Sequence, residues 1–212
     1  GTLIIFFLKM LHYIDPSYQL NYNQLIKLMA ATAKARTDFY VDPNNDDLLN
    51  QLLAYNIVKK YAELSKQNIL QNYDDFNDNG LGSTTHVSVL DKDGNAASIT
   101  TTNGESCGHI LPGTGIILNN MLGEQDLNPL GFHKWNQTKR MPTLISPSLL
   151  IDKSGEVDVV LGSAGSNRIR SAIIQVINNY LFKKMSLKKS IYEPSLHLEE
   201  DCLYLESGIV ID

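Results

Sequence analysis

The chain has 212 residues, is 43% hydrophobic and carries a formal charge of -5 at neutral pH. That length and apolar content suffice for a substantial core, while the acidic balance and the lack of a basic patch with interleaved aromatics exclude a nucleic-acid footprint. The apolar opening run Leu3 to Leu8 is cut by Lys9 and falls far short of the ~20 residues of a membrane span.

In chain order, Leu3 to Leu8 reads as a buried helix or strand. No basic n-region precedes it, so no signal peptide is expected from these residues and the compartment stays open. Residues 1 to about 70 read as helical, because Leu25, Leu28, Met29 and Thr32 recur at helical spacing, as do Leu48, Leu49, Leu52, Leu53 and Val58. Pro16 and Asp42-Pro43 break this region into pieces. Asn72 to Gly82, rich in Asp, Asn and Gly, reads as an exposed loop. After Thr84 the period becomes two: strands are expected at His86 to Asp91 and Ala96 to Thr102, joined by Lys92-Asp93-Gly94-Asn95. Further strands are expected at Gly115 to Asn119, Ser146 to Ile151 and Val157 to Leu161, the last two joined by a Lys153-Ser154-Gly155 turn. A helix should follow Gly165, since Ile169, Ile173, Ile174 and Ile177 share a face and Ser166 or Asn167 can cap it. The pattern is α+β.

Asp91-x-Asp93-x-Asn95 has carboxylate spacing reminiscent of a calcium loop, but its glycine is misplaced for an EF-hand and no helix flanks it. Cys107 and Cys202 lie far apart without metal-like spacing, and the five histidines show no paired ligand spacing. Neither a metal nor a cofactor is expected. Cys107 beside His109 reads as a small buried or semi-buried residue rather than a thiol nucleophile.

The chemistry concentrates at Gly82-Ser83-Thr84-Thr85-His86-Val87-Ser88-Val89, where two threonines stand between a stretch rich in Asn, Asp and Gly and an alternating strand. A threonine hydroxyl must lose its proton to a base before it attacks, and a newly freed α-amine can be that base. With a reference pKa of about 7.7 to 8.0, such an amine is partly neutral near pH 7. Cleavage before Thr84 would therefore make one residue both nucleophile and base. The same hydroxyl can attack the Ser83 carbonyl, shift the acyl group from nitrogen to oxygen and leave an ester for water to hydrolyse. Read alone, Ser-Thr-Thr more often just begins a hairpin, since Thr is a favoured strand residue.

Gly162-Ser163-Ala164-Gly165-Ser166 is a small-residue turn entering a helix, where backbone N-H groups and the helix dipole favour negative charge. An oxyanion hole needs that arrangement, although an ordinary strand-to-helix turn has it too. No Gly-Lys-Ser/Thr follows, which argues against a phosphate loop.

Four ordered stretches together resemble the γ-glutamyltranspeptidase family of N-terminal-nucleophile hydrolases. They are Thr84 to Ala96, Gly113-Thr114-Gly115-Ile116-Ile117-Leu118-Asn119-Asn120, Lys139-Arg140 leading to Ser146-Pro147, and Gly162 to Ile169. Arg36 to Pro43 is similar to the end of that family's large subunit. The resemblance implies an αββα sandwich, here partial, with residues 1-83 as the mainly helical end of the large-subunit region. Residues 84-212 would be the small-subunit-like catalytic region, the two forming one composite domain. It also implies a longer protein, with a missing N-terminal large-subunit portion or partner chain, and a homodimer or heterotetramer as the assembly.

The resemblance implies Thr84 as nucleophile, Ser83-Thr84 as the autocleavage bond, Thr102 as the group that orients the nucleophile, and the amides of Gly165 and Ser166 as the oxyanion donors. Asn103 lies one position from a substrate-pocket asparagine of the family, whose matching place Gly104 occupies. Glu124 stands where the family often has an Asp that pairs with the substrate ammonium. Thr143 and Leu144 stand where many relatives carry two serines. The implied activity is autoprocessing amide cleavage with acyl transfer from a γ-glutamyl or related small-molecule substrate to water or an amino acid. Two alternatives stay open: a glutaryl or cephalosporin-type acylase, and an unprocessed family member that only binds.

Overall fold

The computed structural model describes residues 1-15, 17, 20-39, 47-67, 84-128, 131-135, 138, 141-199 and 202-211. The expected Asn72 to Gly82 loop, Ser83 and the Lys139-Arg140 pair lie outside these residues. The chain divides into two compact units, Asp78–Ile169 and Thr2–Asn77 together with Arg170–Asp212.

The second unit begins with four helices: α1 (Thr2–Ile14), α2 (Tyr22–Phe39), α3 (Leu48–Leu53) and α4 (Tyr55–Leu64). The opening apolar run is thus one side of a helix, with Phe6, Phe7, Met10 and Leu11 fully buried and Ile5 half exposed. Helical spacing brings these side chains onto one face, which meets Leu25, Ile26 and Leu28 of α2 and Val58, Tyr61 and Ala62 of α4 in the core. Phe6 and Tyr61 meet edge to face at 5.8 Å. Burying each such side chain stabilises by about 1.5 to 3 kcal/mol. The Tyr61 hydroxyl donates to Asp38 Oδ2 at 2.7 Å, tying α4 to the end of α2. That hydrogen bond, followed by Lys34, holds the Asp38 carboxyl below its ordinary range. Burial first, and Asp38 second, push the Tyr61 hydroxyl up. Continuous leucine spacing hides a break: Ala54 is extended, at φ -63° and ψ 141°, and separates α3 from α4.

The first unit holds two antiparallel hairpins, β1 (Thr85–Leu90) with β2 (Ala96–Thr101) and β3 (Ser148–Ile151) with β4 (Val157–Leu161). Their turns share the pattern Asp-Lys-x-Gly-x, as Asp91-Lys92-Asp93-Gly94-Asn95 and Asp152-Lys153-Ser154-Gly155-Glu156. In each, the leading carboxylate accepts the backbone N-H groups two and four residues on, at 2.8 to 3.0 Å. Gly94 and Gly155 supply φ of 85° and 91°, values that a Cβ disfavours. The acidic spacing near Asp91 is therefore turn chemistry. β4 packs against β1 and β2. The strand expected at Gly115 to Asn119 reduces to one isolated bridge, Ile110 to Ile117. Positive φ at Gly113 and Gly115 interrupts the extended backbone there.

After β4 the chain enters α5 (Arg168–Ile177), as the isoleucine spacing predicts, then a π-helical turn at Asn178–Phe182, α6 (Leu187–Tyr192), and a hairpin of β5 (Leu196–Glu199) and β6 (Cys202–Leu205). Gln175 joins α5 to this hairpin: its Nε2 donates to the Leu196 carbonyl at 2.8 Å and its Oε1 accepts the Leu196 N-H at 2.9 Å. Ser171 Oγ is hydrogen-bonded with His197 Nδ1 at 2.8 Å in the same buried layer. Among the described residues no helix is long and apolar enough to cross a membrane.

Candidate active site

Thr84 stands at the head of β1 and Thr102 just past the end of β2. The antiparallel register, with Thr85 opposite Thr101 and His86 opposite Thr100, sets the two residues across from each other. Thr84 Oγ1 donates to Thr102 Oγ1 at 3.0 Å, and that same Thr102 oxygen accepts the Gly104 N-H at 3.0 Å. Both threonines are half-buried. One hydroxyl is thus oriented by a second whose own position is pinned by backbone.

Period-two alternation continues this polar row. Thr84 and His86 share one face of β1, and Ser98, Thr100 and Thr102 face them from β2. The opposite face carries Val87, Val89 and Ile99, each at least half exposed. Sequence reading concentrated on Thr84 and passed over His86, although its place two residues along the strand was the available signal.

The chain after Thr102 is clipped to the segment 119-124. Asn120 N-H donates to the Asn103 carbonyl at 3.1 Å, and Asn120 Oδ1 accepts the Glu105 N-H at 2.7 Å. Gly104 sits at φ 65°, and a Cβ there would strike Asn120 Oδ1 and Glu124 Oε1. The Glu124 carboxylate therefore fills the space over Gly104, two residues from Thr102. Asn128 Nδ2 donates to the carbonyls of Leu122 and Glu124 at 3.0 and 2.6 Å and braces the turn that delivers it. Asn103 is exposed, its carbonyl engaged by Asn120 and by Ser106. Thr143 is also exposed, and its Oγ1 accepts the Ile145 N-H at 3.3 Å within its own loop. Leu144 beside it is half-buried.

Gly165 and Ser166 follow β4 with φ of 108° and 48°. Their carbonyls accept the N-H groups of Arg168 and Ile169 at 3.0 and 3.2 Å and so begin α5. Among the described residues, nothing accepts a hydrogen bond from the Gly165 or Ser166 amides. Left-handed backbone at a non-glycine residue costs about 1 to 3 kcal/mol and collects at functional sites. Two contacts give the direction of the chain as it reaches this turn. Ser98 Oγ donates to the Leu161 carbonyl at 3.1 Å, and Gly162 lies against His86 at the Thr100 level. From Leu161 to Gly162 the backbone thus advances toward the end of the hairpin that carries Thr84 and Thr102. The arrangement brings together on one unit a hydroxyl, a second hydroxyl bonded to it, a carboxylate nearby and two unengaged amides. Among the described residues no group of three or more His, Cys, Asp or Glu side chains gathers to hold a metal ion; both cysteines are free, and Cys107 is exposed rather than buried or semi-buried as its residue type suggests.

Comparison with known proteins matches the γ-glutamyltranspeptidase family model to residues 1-212. The chain is 32% identical over 216 residues to glutathione hydrolase proenzyme 1 of Schizosaccharomyces pombe, covering 89% of this chain and 32% of that protein. It is 36% identical over 129 residues to the acylase ACY 1 proenzyme of a Pseudomonas species, covering 59% and 23%. Among solved structures, γ-glutamyltranspeptidase from Pseudomonas nitroreducens complexed with L-DON is similar with a TM-score of 0.51 at 29% identity, over 60% of this chain and 74% of that one. The chain spans no more than about a third of the length of either curated relative.

Proposed function

The chain belongs to the γ-glutamyltranspeptidase family, and from that premise we propose that it carries the nucleophile of an autoprocessing threonine amidase and acyltransferase. Its fold is the mixed helix-and-strand fold of the N-terminal-nucleophile hydrolases. In this reading residues 84-212 are the catalytic region, residues 1-83 end the large-subunit region, and the remaining large-subunit portion completes the substrate pocket.

Processing and turnover use one apparatus. Thr84 Oγ1 attacks the Ser83 carbonyl carbon, the C-N bond breaks as the proton passes to the departing nitrogen, and water hydrolyses the resulting ester. The freed α-amine then takes the hydroxyl proton, and the oxygen attacks the carbonyl of a γ-glutamyl amide such as that of a glutathione-like peptide. Negative charge developing on the carbonyl oxygen is met by the amides of Gly165 and Ser166, where each such donor contributes roughly 2.7 to 4 kcal/mol of transition-state stabilisation. The protonated amine returns its proton to the leaving nitrogen. Water or an amino acid amine then takes the acyl group from the ester. Glu124 supplies a carboxylate for a cationic group on the acyl portion, while Thr143 donates to its carboxylate and the exposed Asn103 lines the pocket.

The observation that carries this reading is the 3.0 Å hydrogen bond from Thr84 to Thr102 at the head of β1. Mass spectrometry of the full-length protein should find a new N-terminus at Thr84, and Thr84→Ala should abolish both cleavage and turnover. An intact Ser83-Thr84 bond after prolonged incubation would instead favour an unprocessed member that only binds. A side-chain acylase is the second reading, supported by the similarity to the acylase ACY 1 proenzyme. Faster turnover of a glutaryl than of a γ-glutamyl anilide would establish that reading.

A further inference from the structure

We propose that His86 is a positioning residue: wedged against Gly162, its imidazole sets the placement of the Gly165-Ser166 turn relative to the strand that carries Thr84. This rests on the reading of Thr84 as nucleophile and extends it to a residue outside the reacting groups.

The ring is held from both nitrogens. Nδ1 is hydrogen-bonded with Thr100 Oγ1 at 2.8 Å, and Nε2 with Ser88 Oγ at 2.8 Å. Two partners on two strands leave the imidazole little freedom to rotate. Its Cε1, Nδ1 and Cγ then lie where a side chain at position 162 would begin. Gly162 has no left-handed φ, unlike Gly165, so its backbone does not itself demand glycine. The space is taken by the ring, and that contact is what restricts the position.

The consequence follows from the order of residues. His86 is two positions from Thr84 on the same strand face, and Gly162 is three positions before Gly165. A planar ring at this contact fixes how closely the end of β4 approaches β1, and the next residues of that backbone are those whose amides are unengaged. Ser98 Oγ, bonded to the Leu161 carbonyl, pins the same strand end one level farther from Thr84. Together the two contacts constrain both the separation and the register of the turn. A misplacement of about 1 Å at such a site can cost on the order of 100-fold in rate.

The test is made in the full-length protein. His86→Ala should lower kcat by roughly 10- to 100-fold, leave KM within about three-fold, and slow release of the Thr84 N-terminus to a similar degree. Gly162→Ala, which leaves every hydrogen-bonding group of His86 in place, should reproduce the kcat loss by expelling the ring. In the double variant the new methyl enters space vacated by the imidazole, so the two losses should fail to add, the signature of contacting residues. His86→Gln, which keeps a donor and an acceptor, should recover part of the rate. Wild-type kcat in His86→Ala, a loss confined to KM, or additive losses in the double variant would overturn the proposal. If His86→Ala does not fold, Gly162→Ala decides alone, and wild-type kcat there overturns it. A wild-type protein that neither cleaves before Thr84 nor turns over would instead remove the nucleophile reading, and this proposal with it.

Discussion

Thr84 and Thr102 are joined by a 3.0 Å hydrogen bond between hydroxyls that a single hairpin register brings across from one another. Thr102 also holds the Gly104 N-H, so it links the candidate nucleophile to the glycine over which the Glu124 carboxylate lies. Thr102→Ala should lower kcat by roughly 10- to 100-fold, the rate equivalent of losing about 1.5 to 3 kcal/mol of oriented hydrogen bonding. Thr102→Ser should retain most of the activity. Initial-rate measurements on a γ-glutamyl anilide distinguish the two.

Gly104 and Glu124 form the second testable pair. Alanine at position 104 would face both a left-handed φ of 65° and the side chains of Asn120 and Glu124, and the backbone penalty alone is about 1 to 2 kcal/mol. Gly104→Ala should therefore displace Glu124 and raise KM for a γ-glutamyl substrate more than for a glutaryl one. Glu124→Gln should show the same selectivity change without a loss of stability. Equal effects on both substrates would argue against ammonium recognition by Glu124.

Stability of the helical unit should depend on pH through Asp38. Its folded carboxyl titrates below the ordinary range because the Tyr61 hydroxyl, first, and Lys34 favour the ionised form. A group with a depressed folded pKa stabilises the fold above its unfolded value, near 3.9, and loses that contribution as pH falls through the folded value. Tyr61→Phe should remove about 1 kcal/mol at pH 7 and flatten this acid limb. Denaturant unfolding at pH 7 and at pH 3 checks both.

Gln175 closes the edge of β5 as a neighbouring strand would, bonding both the N-H and the carbonyl of Leu196. Gln175→Ala leaves those two backbone groups without their partner in a buried layer, where each costs about 1 to 3 kcal/mol. Thermal unfolding should register a loss of roughly 2 to 5 kcal/mol, with Gln175→Glu recovering little because a carboxylate cannot donate to the Leu196 carbonyl.

Most of the helical half was legible, since the i, i+3, i+4 spacing of its leucines reports a buried face directly. The break at Ala54 was not, because no proline or glycine marks it and the extended φ,ψ arises from how α3 and α4 pack. The hairpin Leu196–Glu199 with Cys202–Leu205 went unread for a related reason. Leu196-His197-Leu198-Glu199 does alternate apolar and polar residues, but each strand is only 4 residues long, too short a run for period two to stand out.

The sequence alone determined the nucleophile candidate, the period change after Thr84, the two Asp-Lys-x-Gly turns and the small-residue entry to α5, because each depends on local backbone preference or on chemistry carried within a few residues. The resemblance pointed to Thr102 beside Thr84, and the tertiary structure decided the 3.0 Å contact between their hydroxyls, that Glu124 lies over Gly104 and that His86 presses on Gly162. Those relationships join residues 18 to 76 positions apart. Hairpin register and the approach of β4 to β1 and β2 set them, and both emerge from packing the whole unit rather than from any local preference.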